Sequence, residues 1–242
     1  MKKVAVLIFT LLFSSIFVFT QTTEYQKAMI ELDARGEVQF KFQVNSKQEV
    51  NQLTKIISID NLQQLEVHAY ANKNEFLNFL TYGYPYQVIE HVPGAKTTVA
   101  TTVAQMAGWD RYPSYSVLNQ MMNQFATDYP ALCQVENIGN STDGRQILVA
   151  KISDNVTVDE NEPEFFWTSN MHGDELAGMV ILLRYIDYLL SNYGTDPQVT
   201  NLVDNIEIWI NPEANPDGTY NGGDNNVSNA TRYNSQGIDL NR

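Results

Sequence analysis

Residues 165–190 read FFWTSNMHGDELAGMVILLRYIDYLL, and residues 206–210 read IEIWI. The first stretch opens as a short apolar strand, passes through a polar loop, and continues as an apolar helix from Leu176 to about Leu190. Gly194 is expected to end that helix. A strand, a helix and a second strand in this order predict a parallel pair with a right-handed crossover, and therefore an α/β sheet.

The sequence before this stretch adds a helix and a hairpin to the same sheet. Ser114 is expected to cap a helix that ends near Pro130. Two further strands, residues 133–138 and 146–152, flank the turn sequence NSTDG at residues 140–144. Such a turn between two apolar runs favours a β-hairpin. The predicted fold class is thus α/β, with a mixed sheet flanked by helices.

A smaller α/β unit is predicted ahead of these elements. Apolar residues alternate with polar ones along residues 37–44, which is the period of a half-buried strand. Ser46 and Glu49 form a capping box that begins a helix. Further strands and a helix complete a predicted β-α-β-α-β unit, at residues 65–70, 74–80 and 86–92.

Changes in composition divide the chain into four predicted parts: a signal peptide, a small α/β domain, a linker and a larger α/β domain, at residues 1–20, 21–93, 94–108 and 109–242. The linker is expected because its first half is dominated by Thr, Ala and Val without a helical or strand period, and follows Pro93-Gly94.

The first twenty residues are typical of a secretory signal. Lys2 and Lys3 precede an unbroken apolar run over residues 4–12. The protein is therefore expected to be exported, and so secreted or periplasmic. A retained membrane anchor is the alternative, although the run is short for a full span, and no stable membrane partner is predicted.

Charge and cysteine content exclude two classes of protein. The formal net charge is -13 and the pI is near 4.5, and no cluster of Lys and Arg stands out, so nucleic acid is not an expected partner. Cys133 is the only cysteine, so the chain has no internal disulfide. We expect Cys133 to be a small buried apolar residue.

The loop that begins the longest helix carries candidate metal ligands. It follows a strand of the predicted sheet, where open α/β sheets place their ligands. His172 and Glu175, three residues apart, can direct a nitrogen and an oxygen donor to one zinc ion, and Gly173 lets the backbone bend between them. The spacing alone is weak evidence, because a hydrogen-bonded loop histidine fits it equally well. His68 and His91, the other two histidines, lie in the first unit and are expected not to be ligands.

Two later segments make the assignment more specific. Residues 211–218 read NPEANPDG, and residues 232–242 read RYNSQGIDLNR. Together with HGDE at residues 172–175, they resemble the zinc metallocarboxypeptidase family, particularly its carboxypeptidase N/E-like branch. The resemblance covers residues 109–242, and three motifs in the family's order are far more specific than any one.

The resemblance implies a role for each matching residue. It implies that His172 and Glu175 bind zinc and that Arg232 polarises the scissile carbonyl. It also implies that Asn241 and Arg242 bind the terminal carboxylate of the substrate. The chemistry agrees, since a guanidinium matches a carboxylate bidentately and can stabilise a developing oxyanion.

Asp239 resembles the family's carboxylate that lies behind the first zinc histidine. Such a partner fixes the tautomer and the orientation of the ring.

The predicted function is an exported zinc metallocarboxypeptidase that hydrolyses the C-terminal bond of peptides or proteins through zinc-activated water. In that reading residues 21–93 are either a prosegment or an accessory domain. Two alternatives remain open. One is a cell-wall peptide carboxypeptidase or an N-acyl amino acid deacylase of a related family, and the other is a carboxypeptidase-like binding module without catalysis.

The family's third zinc ligand, a histidine, follows the Asn-Arg motif, as do its substrate-binding tyrosine and general-base glutamate. The chain ends at Arg242, so it is expected to be the N-terminal portion of a catalytic domain. We therefore predict that the 242-residue chain binds zinc weakly and does not hydrolyse peptides. A zinc titration and a C-terminal release assay check this, and tight binding with turnover would contradict it.

Overall fold

A computed structural model describes residues 23–91 and 97–242, which belong to two compact units, Met1–Val92 and Pro93–Arg242. The predicted signal peptide and the start of the predicted linker lie outside the described residues. Among the helices that are described, none has the length and apolar character needed to cross a membrane.

The first unit is an antiparallel sheet with three helices. Its helices are α1 (residues 23–35), α2 (Lys47–Leu53) and α3 (Lys73–Leu80), and its strands are β1 (Glu37–Gln43), β2 (Ser58–Gln63), β3 (Glu66–Asn72) and β4 (Tyr86–Ile89). The strand order is β2-β3-β1-β4, and every neighbouring pair is antiparallel.

The sequence predicted five of these seven elements. Ser46 caps α2 as expected, because its hydroxyl oxygen accepts a hydrogen bond from the Glu49 amide at 3.3 Å. The two elements that it missed are α1 and β2. Only two residues of α1, Ala28 and Leu32, are buried apolar positions, and the polar sequence of β2 hides its strand period.

Aromatic rings fill the core of the first unit. Phe40 is fully buried, and its ring centroid lies 4.7 Å from that of Phe79 and 5.4 Å from that of Phe76. Tyr86 completes the group at 6.2 Å from Phe40. Alternate residues of β1 thus meet one face of α3, as the period-2 pattern predicted.

We predict that Phe40→Ala lowers the free energy of unfolding of the first unit by about 3–5 kcal/mol, because it leaves a cavity among close-packed rings. Leu77→Ala is the matched control, because Leu77 lies in the same helix and is 41% exposed. It should lower the free energy of unfolding by less than about 1 kcal/mol. Urea unfolding followed by circular dichroism measures both. All three tryptophans lie in the second unit, so their fluorescence follows that unit separately. Equal losses from the two variants would contradict the prediction.

The second unit is a mixed sheet with helices packed against it. Its strands are β5 (Val99–Ala100), β6 (Tyr112–Pro113), β7 (Cys133–Asn140), β8 (Gln146–Ile152), β9 (Glu164–Thr168) and β10 (Glu207–Asn211). Its helices are α4 (Tyr115–Asp128), α5 (Ala177–Asn192), α6 (Pro197–Val203) and the short α7 (Pro216–Thr219), with a 3-10 turn at Val103–Met106. The main sheet has the order β7-β8-β10-β9.

This architecture confirms the predicted α/β fold with a mixed sheet. β7 and β8 form the predicted antiparallel hairpin, and β9 and β10 form the predicted parallel pair, joined through α5 and α6. Ser114 caps α4 by accepting from the Val117 amide at 3.3 Å. Gly194 has a φ of +77° just after α5, a conformation that favours glycine.

The structure corrects the predicted linker at residues 94–108. From β5 through the 3-10 turn, these residues belong to the second unit, where Ala100 is 0% and Met106 is 1% exposed in the hydrophobic core. Elements of two and four residues are too short to show a period in the sequence, and this explains the error.

The strand β9 lies at the edge of the sheet. Its apolar side chains Phe165, Phe166 and Trp167 are 49%, 52% and 46% exposed, whereas Ile208 and Ile210 of the neighbouring β10 are buried. The two strands are parallel, so their carboxyl ends lie side by side. The loops that follow them carry the candidate site.

Candidate metal and substrate site

The site is built where β9 and β10 end. Backbone pairing continues past both strands, because the Ser169 amide donates to the Asn211 carbonyl at 3.1 Å and the Ala214 amide donates to the Ser169 carbonyl at 3.0 Å. This pairing brings the loop of His172 beside the segment of residues 211–218. Two of the three predicted motifs therefore meet because their strands are neighbours.

Two glycines allow this meeting. A Cβ on Gly173 would lie 2.3 Å from the Gly218 carbonyl carbon and 2.3 Å from the Thr219 nitrogen. A Cβ on Gly218 would lie 2.6 Å from the Tyr233 carbonyl oxygen and 2.8 Å from that of Thr231. Neither position accepts a side chain without moving backbone, so both glycines are required by close approach.

The two predicted zinc ligands face each other. His172 Nδ1 lies 2.8 Å from Glu175 Oε1. The imidazole is buried, whereas the Glu175 side chain is 61% exposed. One nitrogen donor and one oxygen donor thus converge at the surface, which is the donor chemistry that zinc prefers.

Asp239 occupies the other side of the imidazole. Its Oδ1 lies 3.2 Å from His172 Nε2, and its Oδ2 accepts from Arg232 Nε at 2.8 Å. All three side chains are buried, with Arg232 and Asp239 each 4% exposed. A single carboxylate therefore connects the predicted metal histidine to the predicted catalytic arginine.

Asn241 and Arg242 are exposed, in contrast to the rest of the site. The Asn241 backbone amide donates to Asp239 Oδ1 at 2.9 Å, which places the end of the segment next to the buried network. Arg242 donates through one guanidinium nitrogen to the Asn241 carbonyl at 3.1 Å. Their binding of a substrate carboxylate stays a prediction.

A second carboxylate at the site, Asp217, was not predicted from the sequence. It accepts hydrogen bonds from Ser141 Oγ at 2.7 Å, from the Asp143 amide at 3.0 Å and from Arg145 at 2.8 Å. Burial opposes its ionisation, but these donors outweigh burial and lower the pKa of Asp217. Asp217 thereby fastens the turn of the β7–β8 hairpin to the segment of residues 211–218.

Two further carboxyl groups were also missed. Burial raises the pKa of Asp174, which stands between the two predicted ligands, and raises the pKa of Glu213 to about 8. Neither residue shows a pattern that reveals its burial, because each lies in a polar loop sequence. The packing of the two loops buries Glu213 and leaves Asp174 half-buried.

The described residues fit a metal at His172 and Glu175 in donor type and in the support of the imidazole by a carboxylate. Elsewhere in the described residues, the carboxylate oxygens of three side chains, Asp159, Glu164 and Glu207, lie close enough together to hold a metal ion. There Lys151 Nζ already lies 2.6 Å from Glu207 Oε1, so a cation is in place without a metal. That cluster includes the first residues of β9 and β10, at the opposite ends of these strands from His172.

We predict that Gly173→Ala disrupts the site, because its methyl group would overlap the backbone at Gly218 and Thr219. Zinc affinity should fall at least about tenfold and the melting temperature should drop. Gly108→Ala is the matched control, since its Cβ would meet only the Asp110 side chain at an ordinary 3.5 Å. A zinc titration and a thermal melt check both variants, and unchanged zinc binding in Gly173→Ala would show that the contact is not needed.

Known proteins resemble the chain over this region. The sequence profile of the zinc carboxypeptidase family, Peptidase M14, matches residues 118–242. Human carboxypeptidase D is 43% identical over 123 residues, which cover 50% of this chain and 9% of that protein. A zinc carboxypeptidase from Saccharothrix mutabilis subsp. capreolus is 42% identical over 112 residues, covering 46% and 26%. The chain thus spans a minor part of the length of these relatives.

Among solved structures, the carboxypeptidase A from Helicoverpa armigera superposes with a TM-score of 0.54 at 22% identity. The match covers 83% of this chain and 53% of that one, which supports the fold. With its HGDE, NPDG and DLNR motifs assembled at one site and the family profile matching residues 118–242, more than half of its length, the chain belongs to the zinc carboxypeptidase family.

Proposed function

We propose that the protein is an exported zinc metallocarboxypeptidase that removes residues from the C-terminus of peptides or proteins. The observation that carries the proposal is the arrangement around His172, whose Nδ1 faces Glu175 while its Nε2 faces Asp239. The predicted signal peptide supports export to the periplasm or the exterior. Membership of the family supports the reaction, and the substrate class is inferred from it.

His172 and Glu175 would hold the zinc ion, which when bound polarises a carbonyl and activates water. The tautomer of His172 follows from its neighbours. Asp239 as a carboxylate only accepts hydrogen bonds, so Nε2 of a neutral imidazole carries the hydrogen. The lone pair is then on Nδ1, the nitrogen beside Glu175. Asp239 thus leaves the correct atom available for a metal.

Asp239 also orients Arg232. By accepting from Nε, it fixes the plane of the guanidinium, and an oriented guanidinium stabilises a carbonyl oxygen that gains negative charge. The same carboxylate therefore aligns the metal ligand and the group that polarises the substrate. Arg242 and the Asn241 amide supply planar donors suited to the terminal carboxylate.

We predict that Asp239→Asn weakens zinc binding about 10–100-fold, as is typical when the partner of a metal histidine is lost. The amide can donate to Nε2, which selects the tautomer with hydrogen on Nδ1. Competition with a chromophoric chelator measures the affinity. Asp60→Asn, an exposed position in the first unit, makes the same charge change and should bind as the wild type does. Equal affinities for all three proteins would remove Asp239 from the proposed site.

The reaction is tested on the whole gene product with peptides of defined sequence. Mass spectrometry should show loss of single C-terminal residues, and a chelator or His172→Ala should abolish it. Peptides with an amidated C-terminus should resist cleavage, because the terminal carboxylate is recognised by Arg242 and Asn241. Turnover only of cell-wall stem peptides or of N-acyl amino acids would favour the related-family alternative. Peptide binding without turnover would favour the binding module.

We also propose that residues 21–93 act as a prosegment. The match to the carboxypeptidase A structure covers 83% of the chain, which is more than Pro93–Arg242 makes up, so it extends into the first unit. Activity of the gene product before and after cleavage within residues 94–108 tests the role. An increase on cleavage supports a prosegment, and unchanged activity supports an accessory domain.

A further inference from the structure

A buried carboxyl group, Glu213, joins the two loops that form the site. It is 4% exposed. Its Oε2 accepts from Asn170 Nδ2 at 3.2 Å, and its Oε1 accepts from the Asn215 amide at 3.1 Å. Oε1 also lies 3.1 Å from the hydroxyl oxygen of Thr219. The roles proposed above do not use this group.

The hydroxyl of Thr219 links Glu213 to the backbone next to His172. Its oxygen lies 3.0 Å from the Gly173 carbonyl and 3.1 Å from Glu213 Oε1. The hydroxyl has one hydrogen, and the carbonyl can only accept it. While Glu213 is a carboxylate, the two acceptors compete for this one hydrogen; when Glu213 carries a hydrogen on Oε1, it can donate to Thr219 and leave the hydroxyl hydrogen for the Gly173 carbonyl. In that acid form, hydrogen bonds run in one direction from Glu213 through Thr219 to Gly173.

Burial raises the pKa of Glu213 to about 8, although its hydrogen-bond partners act in the opposite direction. The charge of Arg145 also lowers this pKa, and Glu213 contributes to the raised pKa of the buried Tyr220. At neutral pH the acid form therefore predominates. This agrees with a hydrogen on Glu213 Oε1 that frees the Thr219 hydroxyl for Gly173.

Asn170 stands on the other side of His172 and is held in an unusual backbone conformation. Its φ is +54°, in the left-handed region, which asparagine tolerates better than most residues but which still has a cost. The side chain is buried, and its amide donates to Glu213. Glu213 thus contacts the residue two positions before His172 directly and the residue after it through Thr219.

We propose that Glu213, in its neutral form, is a positioning residue that holds residues 170–173 so that His172 Nδ1 is presented to the metal. The inference rests on the proposed zinc function. It adds a second carboxyl group that acts on His172, through the backbone of its loop, whereas Asp239 contacts the ring.

Two variants separate positioning from general stability. Glu213→Gln keeps the shape, donates to Thr219 through Nε2 and accepts from Asn170 through Oε1; it loses the acceptor for the Asn215 amide and has no titratable proton. Glu213→Ala leaves Asn170 and Thr219 without their shared partner. Val199→Ala, at a buried position of α6 in the same unit, is the control for a general loss of stability.

The experiment uses the 242-residue chain and two measurements. Hydrogen exchange of residues 170–175 is followed by mass spectrometry without metal, and zinc affinity is measured by chelator competition at pH 7 and pH 9. We expect Glu213→Ala to speed exchange of this segment at least about tenfold, with Val199→Ala raising exchange evenly across the unit. Glu213→Gln should stay within about threefold of the wild type at pH 7 in both measurements.

The comparison of zinc affinity at pH 7 and pH 9 tests whether the proton of Glu213 matters. One pH unit above a pKa of about 8, about one tenth of the wild-type molecules keep the proton on Glu213. The zinc affinity of the wild type, divided by that of Glu213→Gln, should thus fall about tenfold between pH 7 and pH 9. The division removes every pH dependence that the two proteins share.

Three outcomes decide between the proposals. Exchange of residues 170–175 in Glu213→Ala that equals the wild type, or that rises only as it does in Val199→Ala, overturns the positioning role. A constant affinity ratio between the two pH values overturns the role of the proton. If the exchange results are as expected while the whole gene product binds no zinc, the zinc function fails and the positioning of the loop stands. Should Glu213→Ala not fold, the glutamine comparison still decides.

Discussion

The backbone of Gly173 lies against the backbone of Gly218 and Thr219 more closely than any side chain would permit. This contact exists because β9 and β10 are parallel neighbours, so the loops that leave their carboxyl ends emerge together and cross. Gly218 in turn lies against the carbonyls of Thr231 and Tyr233. Segments far apart in sequence are therefore brought together through two residues without side chains. The positions of His172, Thr219 and Arg232 all depend on that crossing.

The crossing also buries charge. Arg232 and Asp239 are each 4% exposed, and removing an ion pair from water costs more than an isolated pair returns. The cost is offset here because both oxygens of Asp239 accept hydrogen bonds, from His172 and the Asn241 amide on one side and from Arg232 on the other. Because the hydrogen bonds of this network are made, it fixes the orientation of the His172 and Arg232 side chains. We therefore interpret it as a device for alignment, with little net contribution to stability.

Local patterns in the sequence predicted most of the second unit. The hairpin of β7 and β8 has turn residues between two apolar runs, and the parallel pair follows from the order strand, helix, strand. Glu175 and Asp239, which the family resemblance assigned to His172, lie 2.8 Å and 3.2 Å from its two ring nitrogens. The sequence did not reveal the packing of Met106 into the core, since the elements around it are too short to have a period. Nor did it reveal Glu213, whose properties arise from burial between two loops.

Two carboxyl groups act on the same histidine, Asp239 as a charged carboxylate and Glu213 as a neutral acid. Their surroundings explain the difference. Asp239 faces an imidazole nitrogen, a guanidinium and a backbone amide, so all its neighbours donate. Glu213 faces two amides and the Thr219 hydroxyl, which has one hydrogen for two acceptors, Glu213 itself and the Gly173 carbonyl. A full set of donors favours the carboxylate, whereas a neighbour that needs a hydrogen favours the acid. The residue type alone does not determine whether a buried acid accepts or donates. The number of hydrogen-bond donors around the acid determines this, and the crossing of the two loops determines which donors surround it.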